Sequence, residues 1–451
     1  MKKIITIFGA TGNLMYKKLF PAFSNLFKNR FLDSKTKIYL VGRKDYTLED
    51  YLLEAKKEIK TNIEWDLLLP QLNYIQMDFS NSDDYIRLKT IINDDFTEKD
   101  KMFYLAVPPQ LFPVISKGIN SSGLITKGSD NERIVFEKPF GEDLTTAQKI
   151  NKELWQYFEE KQIYRIDHYL GKEMIQNILI VRFTNTIFEQ AWNNKTISSI
   201  QIIAKETEGV LRRGNYYDKV GALKDMVQSH LLQMVSLVTM ERPKSFASDD
   251  IKDEKVKVIK QLSIDKKDII LGQYQGYKDA INIESNSATE TFVFAKACIN
   301  NDRWKGVPIY LLTGKSLDEK RSEIIINFKN DSSDFKNVLN NKLIIRVAPV
   351  EGVNFIFNVK EAGLSEKVVP ANLDYCHTCN YLGNTPEAYE KLLLDLFNKQ
   401  NSLFTRWDEI ESSWKVIDEV KTYKHELFIY NNYEEIKELI VKGNEGLIDD
   451  L

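Results

Sequence analysis

The 451-residue chain is poor in histidine, with four residues (His168, His230, His377 and His425), and it has only three cysteines. Three cysteines cannot build a disulfide framework, which fits a reducing compartment. No apolar run approaches the roughly 20 residues that cross a bilayer, so no membrane partner is expected. A net charge of −3 lacks the basic excess of a nucleic-acid footprint. The opening MKKIITIF is an apolar run that breaks at Gly9 with no cleavage site after it, unlike a signal peptide, and a cytoplasmic chain is expected. There is no internal repeat and no low-complexity linker. What remains is globular, 43% apolar and 28% charged, and too long for one core, so two domains are expected.

The scarcity of histidine gives weight to Tyr164–Glu173, YRIDHYLGKE, set between two helix-like segments. Extended backbone would aim the adjacent Asp167 and His168 at opposite faces. His168, Tyr169 and Lys172 could then converge on one anionic group, since Tyr and Lys donate and a phosphate accepts. Asp167 would orient something else. An ion-pair knot at a domain junction would gather the same residues.

Ile4–Phe8 reads as a parallel strand buried on both faces. Gly9, Ala10, Thr11, Gly12, Asn13 and Leu14 follow at once, then an amphipathic segment from Tyr16 towards Arg30. Strand, glycine turn and helix are the context of a dinucleotide site. Gly9 permits the tight turn, Gly12 lets a pyrophosphate approach, and the helix N-terminus faces the phosphates. A glycine pair alone is more often a plain turn. The second strand, Lys37–Val41, ends in GRKD. Arg43 and Lys44 suit the 2′-phosphate of NADP, whereas Asp45 leaves NAD open as a secondary cofactor. Tyr74–Phe79, Met102–Val107 and Arg133–Phe136 read as further strands, with helices at Asp83–Asn93, Gln110–Ser121 and Leu144–Glu160. Lys138, in EKPFG at a strand end, could reach cofactor and substrate, or simply pair with Glu137.

In the second half, Ser198–Glu206 is a strand, and Gly221–Val238 has helical periodicity. Asp225 and His230, five residues apart, would stand about 140° apart on an α-helix and could flank one pocket. Imidazole is the natural general base at neutral pH and needs an orienting acid, for which Asp167 is available; a core histidine is the plainer reading. Strand-like runs at Glu290–Cys298, Pro308–Thr313, Glu323–Phe328, Lys342–Val347 and Asn354–Lys360 predict a large, mainly antiparallel sheet. Lys315 and Lys320 add cations at a strand end. Helices close the chain at Glu387–Asn398 and Trp407–Val420, and the last ten or so residues are expected to fray. Cys376-His377-Thr378-Cys379 lacks the second Cys/His pair of a zinc clip and reads as a solvated loop.

GATGNL with Lys17-Lys18, FYLAVPP, EKPFG, RIDHYLGKE, YYDKVGALKDMVQSHLLQ, RWKGVP with GKSLDEK, PEAYEKLLLD and LFTRWDEIESSW together resemble glucose-6-phosphate dehydrogenases, in family order. The resemblance implies an N-terminal Rossmann-type NADP-binding domain (1–167) and an α+β domain (168–451) for substrate binding and oligomerisation, as a homodimer or homotetramer. It implies oxidation of glucose 6-phosphate at C1. By position, His230 is then the general base, Asp167 its orienting carboxylate, and His168, Tyr169 and Lys172 the phosphate clamp. Glu206 and Asp225 match acidic positions at sugar hydroxyls. Lys138 and Lys18 match lysines near cofactor and substrate, and Lys315 and Lys320 match cations on the sugar's far side. No metal is required. Asn13 and Met15 stand where the family has Asp and Ala, and Ala348 where Gln is common. Two other readings are a related dehydrogenase of an unphosphorylated sugar and a catalytically decayed regulatory paralogue.

Overall fold

The computed structural model describes residues 2–95, 99–330, 335, 338–380 and 387–443. Two compact units share the chain: Met1–Gly171 with Ala247–Lys252 and Pro386–Glu411 form one, and the rest forms the other.

The first unit is built on six parallel strands, β1 (Lys2–Phe8), β2 (Thr36–Gly42), β3 (Leu72–Gln76), β4 (Lys99–Leu105), β5 (Glu132–Phe136) and β6 (Ile163–Ile166). They lie in the order β6-β5-β4-β1-β2-β3, and the short strand Phe404–Thr405 adds antiparallel to β6. Alternation along each strand feeds two separate cores. Ile5 and Ile7 join a layer with Leu19, Phe23 and Leu396, whereas Ile4 and Phe8 join one with Leu88, Ile115 and Phe136. Both faces are therefore covered, which is why these strands are continuous apolar runs. Each such side chain contributes about 1.5–3 kcal/mol on burial. Strand order reverses between β1 and β4, the switch point at which open α/β sheets bind ligands.

The second unit carries a nine-stranded sheet. Its strands are β7 (Ile197–Lys205), β8 (Leu262–Tyr274), β9 (Phe292–Ile299), β10 (Ile309–Gly314), β11 (Arg321–Phe328), β12 (Lys342–Ala348), β13 (Gly352–Lys360), β14 (Val368–Cys376) and the strand Leu427–Tyr430. The order is β14-β13-β12-β11-β7-β10-β9-β8, then Leu427–Tyr430. Pairing is antiparallel except between β7 and β10 and at the Leu427–Tyr430 edge. Helix Tyr433–Gly443 covers one face through Tyr433, Ile436 and Ile440, packed on Ile203, Phe294 and Leu312.

Three expectations are corrected. The extended backbone stops at Ile166, and residues 168–171 form a turn, so strand alternation does not separate Asp167 from His168. The single helix expected from Gly221 to Val238 is a helix Gly214–Ala222, a π-helical segment Leu223–Leu231 and an α-helix Leu232–Thr239. Cys376 and Cys379 are joined by a disulfide; a four-residue turn brings the pair together without any wider framework. The expected fraying falls mostly on residues 444–451, outside the described residues. No helix among the described residues is long and apolar enough to cross a membrane.

Candidate active site

The first unit offers a nucleotide cradle. β1 ends at Phe8, and the turn is fixed by the Gly9 and Ala10 N–H groups, both donating to Val41 O at 3.0 Å, and by Gly12 N–H donating to Gly9 O at 3.0 Å. Gly9 has φ +85°, and a Cβ there would lie 2.3 Å from Ala106 O. Glycine is thus demanded twice, by conformation and by the close approach of the segment after β4. The helix begins at Asn13, with its first N–H groups turned to the cradle, a fit for a pyrophosphate. Ala10 is buried and held by the Tyr51 hydroxyl, which donates to its carbonyl at 2.7 Å. Thr11 lies beside Gly42 at the end of β2, and Arg43 follows there, exposed. Lys44 is engaged with Tyr46, 3.0 Å from its hydroxyl. Leu14 is half-buried against the core. Lys18 is paired with Glu387 at 2.8 Å, and both side chains are largely exposed.

Lys138 follows β5 at the same sheet edge. Glu137 has other partners: Tyr104 and Tyr389 donate to its Oε1 at 2.5 and 3.2 Å. Burial raises the Glu137 carboxyl above its ordinary range, against the pull of those hydroxyls. Beyond β6, Asp167 is buried and its Oδ1 accepts the Tyr169 N–H at 3.0 Å, an Asx-type turn. The His168 and Tyr169 rings meet edge to face, 5.2 Å between centroids.

In the second unit, strand register builds a pocket. β7 and β10 run parallel with Lys205 opposite Gly314, so the residues after both strands emerge together. Glu206 N–H donates to Gly314 O at 2.9 Å, and the Lys315 ammonium is ion-paired with the Glu206 carboxylate. Around them, Gly209, Arg213, Tyr217 and Lys320 complete a cavity of about 130 Å³. The Glu206 carboxylate and three cationic side chains lining one small cavity suit a polyhydroxylated anion. Lys172 caps the helix Glu173–Thr184 without a side-chain cap bond.

Asp225 and His230 lie on the π segment, 7% and 1% exposed. Hydrogen bonding from i to i+5 widens the turn, so residues five apart stand closer to one face than on an α-helix. The Tyr216 hydroxyl bonds Asp225, and burial, then that carboxylate's charge, raises the Tyr216 phenol. The segment starts from a fixed point: Glu290 accepts the Leu223 N–H at 3.0 Å and fills the space over Gly221, whose φ is +69°. Sequence reasoning missed Arg213, Tyr216, Tyr217 and Glu290. The tyrosines lead the YYDKVGALKDMVQSHLLQ motif, a usable signal; Glu290 looks like any strand-end charge.

Two family models match: glucose-6-phosphate dehydrogenase, NAD binding domain, over residues 6–177, and its C-terminal domain over residues 179–438. A glucose-6-phosphate 1-dehydrogenase of Bacillus subtilis is 40% identical, covering 96% of this chain and 94% of its own length. That of Borreliella burgdorferi is 41% identical, covering 95% and 93%. Among solved structures, a glucose-6-phosphate dehydrogenase in complex with its substrate glucose-6-phosphate has a TM-score of 0.91 at 34% identity, covering 98% of this chain and 97% of that one. The Mycobacterium avium enzyme has a TM-score of 0.87 at 31% identity, covering 98% of both.

Proposed function

The chain belongs to the glucose-6-phosphate dehydrogenase family, and from that membership we infer that it oxidises glucose 6-phosphate at C1 to 6-phosphoglucono-1,5-lactone. Bound in the cradle after β1, NADP supplies the hydride acceptor. The observation that carries the reading is the match of both family domains across residues 6–177 and 179–438, on a chain that keeps His230 and Asp167.

His230 takes the proton of the C1 hydroxyl as the hydride leaves, and Asp167 orients the imidazole and stabilises its cation. His168, Tyr169 and Lys172 hold the phosphate. Glu206 and Asp225 accept from sugar hydroxyls, and Lys315 and Lys320 flank the sugar's far side. Lys138 serves cofactor and substrate, and Lys18 and Arg43 serve the cofactor. The domains in this reading are 1–167 for NADP and 168–451 for substrate and self-association. The cavity beside Glu206 supports the sugar assignment, and the glycine cradle supports the cofactor assignment. The chain works as a homodimer or a dimer of dimers in the cytoplasm.

The test is cofactor reduction by the purified chain, followed by absorbance, with glucose 6-phosphate and with free glucose, under NADP and under NAD. Turnover with the phosphorylated sugar and NADP is expected, with free glucose far slower. Free glucose matching the phosphate ester would replace this reading by the related dehydrogenase of unphosphorylated sugars. Equal rates with NAD would remove Arg43 from the 2′-phosphate.

A further inference from the structure

One cluster in the second unit has no part in this chemistry. We propose that Glu173, Glu351 and His377 form a binding site for a divalent transition cation of the zinc class. One ring nitrogen of His377 and one carboxylate oxygen from each glutamate lie within 4.8 Å of one another. An ion with bonds of about 2.0–2.2 Å joins donor atoms up to about 4.4 Å apart, so a small side-chain shift closes this set on one ion.

The fold brings the three together by register rather than by chance of rotamer. β13 and β14 pair so that Gly352 faces Cys376, and the His377 N–H donates to Glu351 O at 2.9 Å. The residue before β13 and the residue after β14 are thereby neighbours. The Cys376–Cys379 bridge closes the turn that carries His377. Glu173 opens the helix Glu173–Thr184, which packs on β12.

Three observations distinguish the cluster from a solvated acidic patch. The Tyr375 hydroxyl stands 3.2 Å from His377 Nδ1. With Nδ1–H donating to it, the Nε2 lone pair points at the carboxylates, the outer-shell arrangement that metal-ligating histidines use. Nε2 and Glu173 Oε2 stand 2.5 Å apart, so both atoms face one point, and an ion bound there would draw them apart to its own bond lengths. Glu351 Oε2 is buried with no hydrogen-bond partner among the described residues. The other charges facing Glu351 are Glu173, which opposes its ionisation, and His377 and Lys172, which favour it. One imidazole and two carboxylates suit zinc, manganese or cobalt over magnesium and calcium, which take oxygen alone. Three protein donors leave the remaining positions to water.

The test uses the full chain, freed of metal by chelation, titrated with zinc chloride in a calorimeter and separately with cobalt(II) in the visible spectrum. One zinc per chain is expected, with affinity falling about tenfold or more in His377→Ala and in Glu351→Gln. Wild-type protein should give a cobalt ligand-field band that His377→Ala lacks, and zinc-free melting of each variant shows whether it has kept its fold. Absence of stoichiometric zinc binding and of the cobalt band in the wild type would overturn the proposal, whatever the variants do. Equal zinc affinity in the wild type and both folded variants would overturn it as well.

Discussion

Gly9 is the residue whose replacement the structure forbids most plainly. At φ +85° an L side chain costs about 1–2 kcal/mol, and the added Cβ would sit 2.3 Å from a backbone carbonyl that cannot swing away. Gly9→Ala is therefore expected to lose about 2 kcal/mol or more of stability, by denaturant melting, and to raise KM for NADP more than KM for the sugar. An unchanged KM for NADP would separate the turn from the cofactor. Glu137 makes a pH prediction. Burial holds its carboxyl above the ordinary value of 4.5 in the folded chain. As pH rises from there through the raised value, the unfolded chain has released a proton that the folded chain retains, so stability falls across that window. Glu137→Gln should flatten this decline, which urea titrations at several pH values would measure. The role of Gly9 could be read from sequence because a buried strand and a helix flank it. That of Glu137 could not, because its partner Tyr389 comes from a distant segment.

At the scale of the element, the segment Leu223–Leu231 departs most from its sequence pattern. Leu223, Met226, Leu231 and Met234 mark an apolar side compatible with an α-helix, and hydrophobic spacing does not report whether backbone bonds run i to i+4 or i to i+5. A kink at Gly221 interrupts the preceding helix, and Glu290 accepts the Leu223 N–H where the new segment starts. Glu290→Ala would leave the Leu223 N–H without its acceptor. A loss of about 1–3 kcal/mol is expected, with kcat falling while the far-UV spectrum is kept; a kcat equal to the wild type would show that the segment holds its position unaided. Strands β14 and β8 are the other elements hidden from sequence. β14 alternates weakly, and β8 carries Asp265, Lys266, Lys267 and Asp268 in mid-strand. β14 lies at the sheet edge, and β8 meets the short strand Leu427–Tyr430 only over Leu271–Tyr274, so the rest of its length is open on that side and tolerates polar residues. Central strands such as β1, β7 and β11 were legible for the opposite reason.

At the scale of the whole molecule, the compact units interleave along the chain: Ala247–Lys252 and Pro386–Glu411 return to the nucleotide-binding unit. Sequence order suggested a single crossing near residue 167, because nothing in the local pattern marks a segment as returning. The proposed self-association predicts at least twice the 52.5 kDa chain mass by light scattering; a monodisperse monomer at working concentration would reject it. The measurement closest to the central claim is a comparison of His230→Asn with the wild type, taking kcat by cofactor reduction and glucose 6-phosphate affinity by calorimetry. Loss of a positioned general base should lower kcat by about 10²–10⁴-fold with substrate affinity nearly unchanged. A kcat within a few fold of the wild type, or a loss of affinity as large as the loss of rate, would contradict the assignment of His230 as the base.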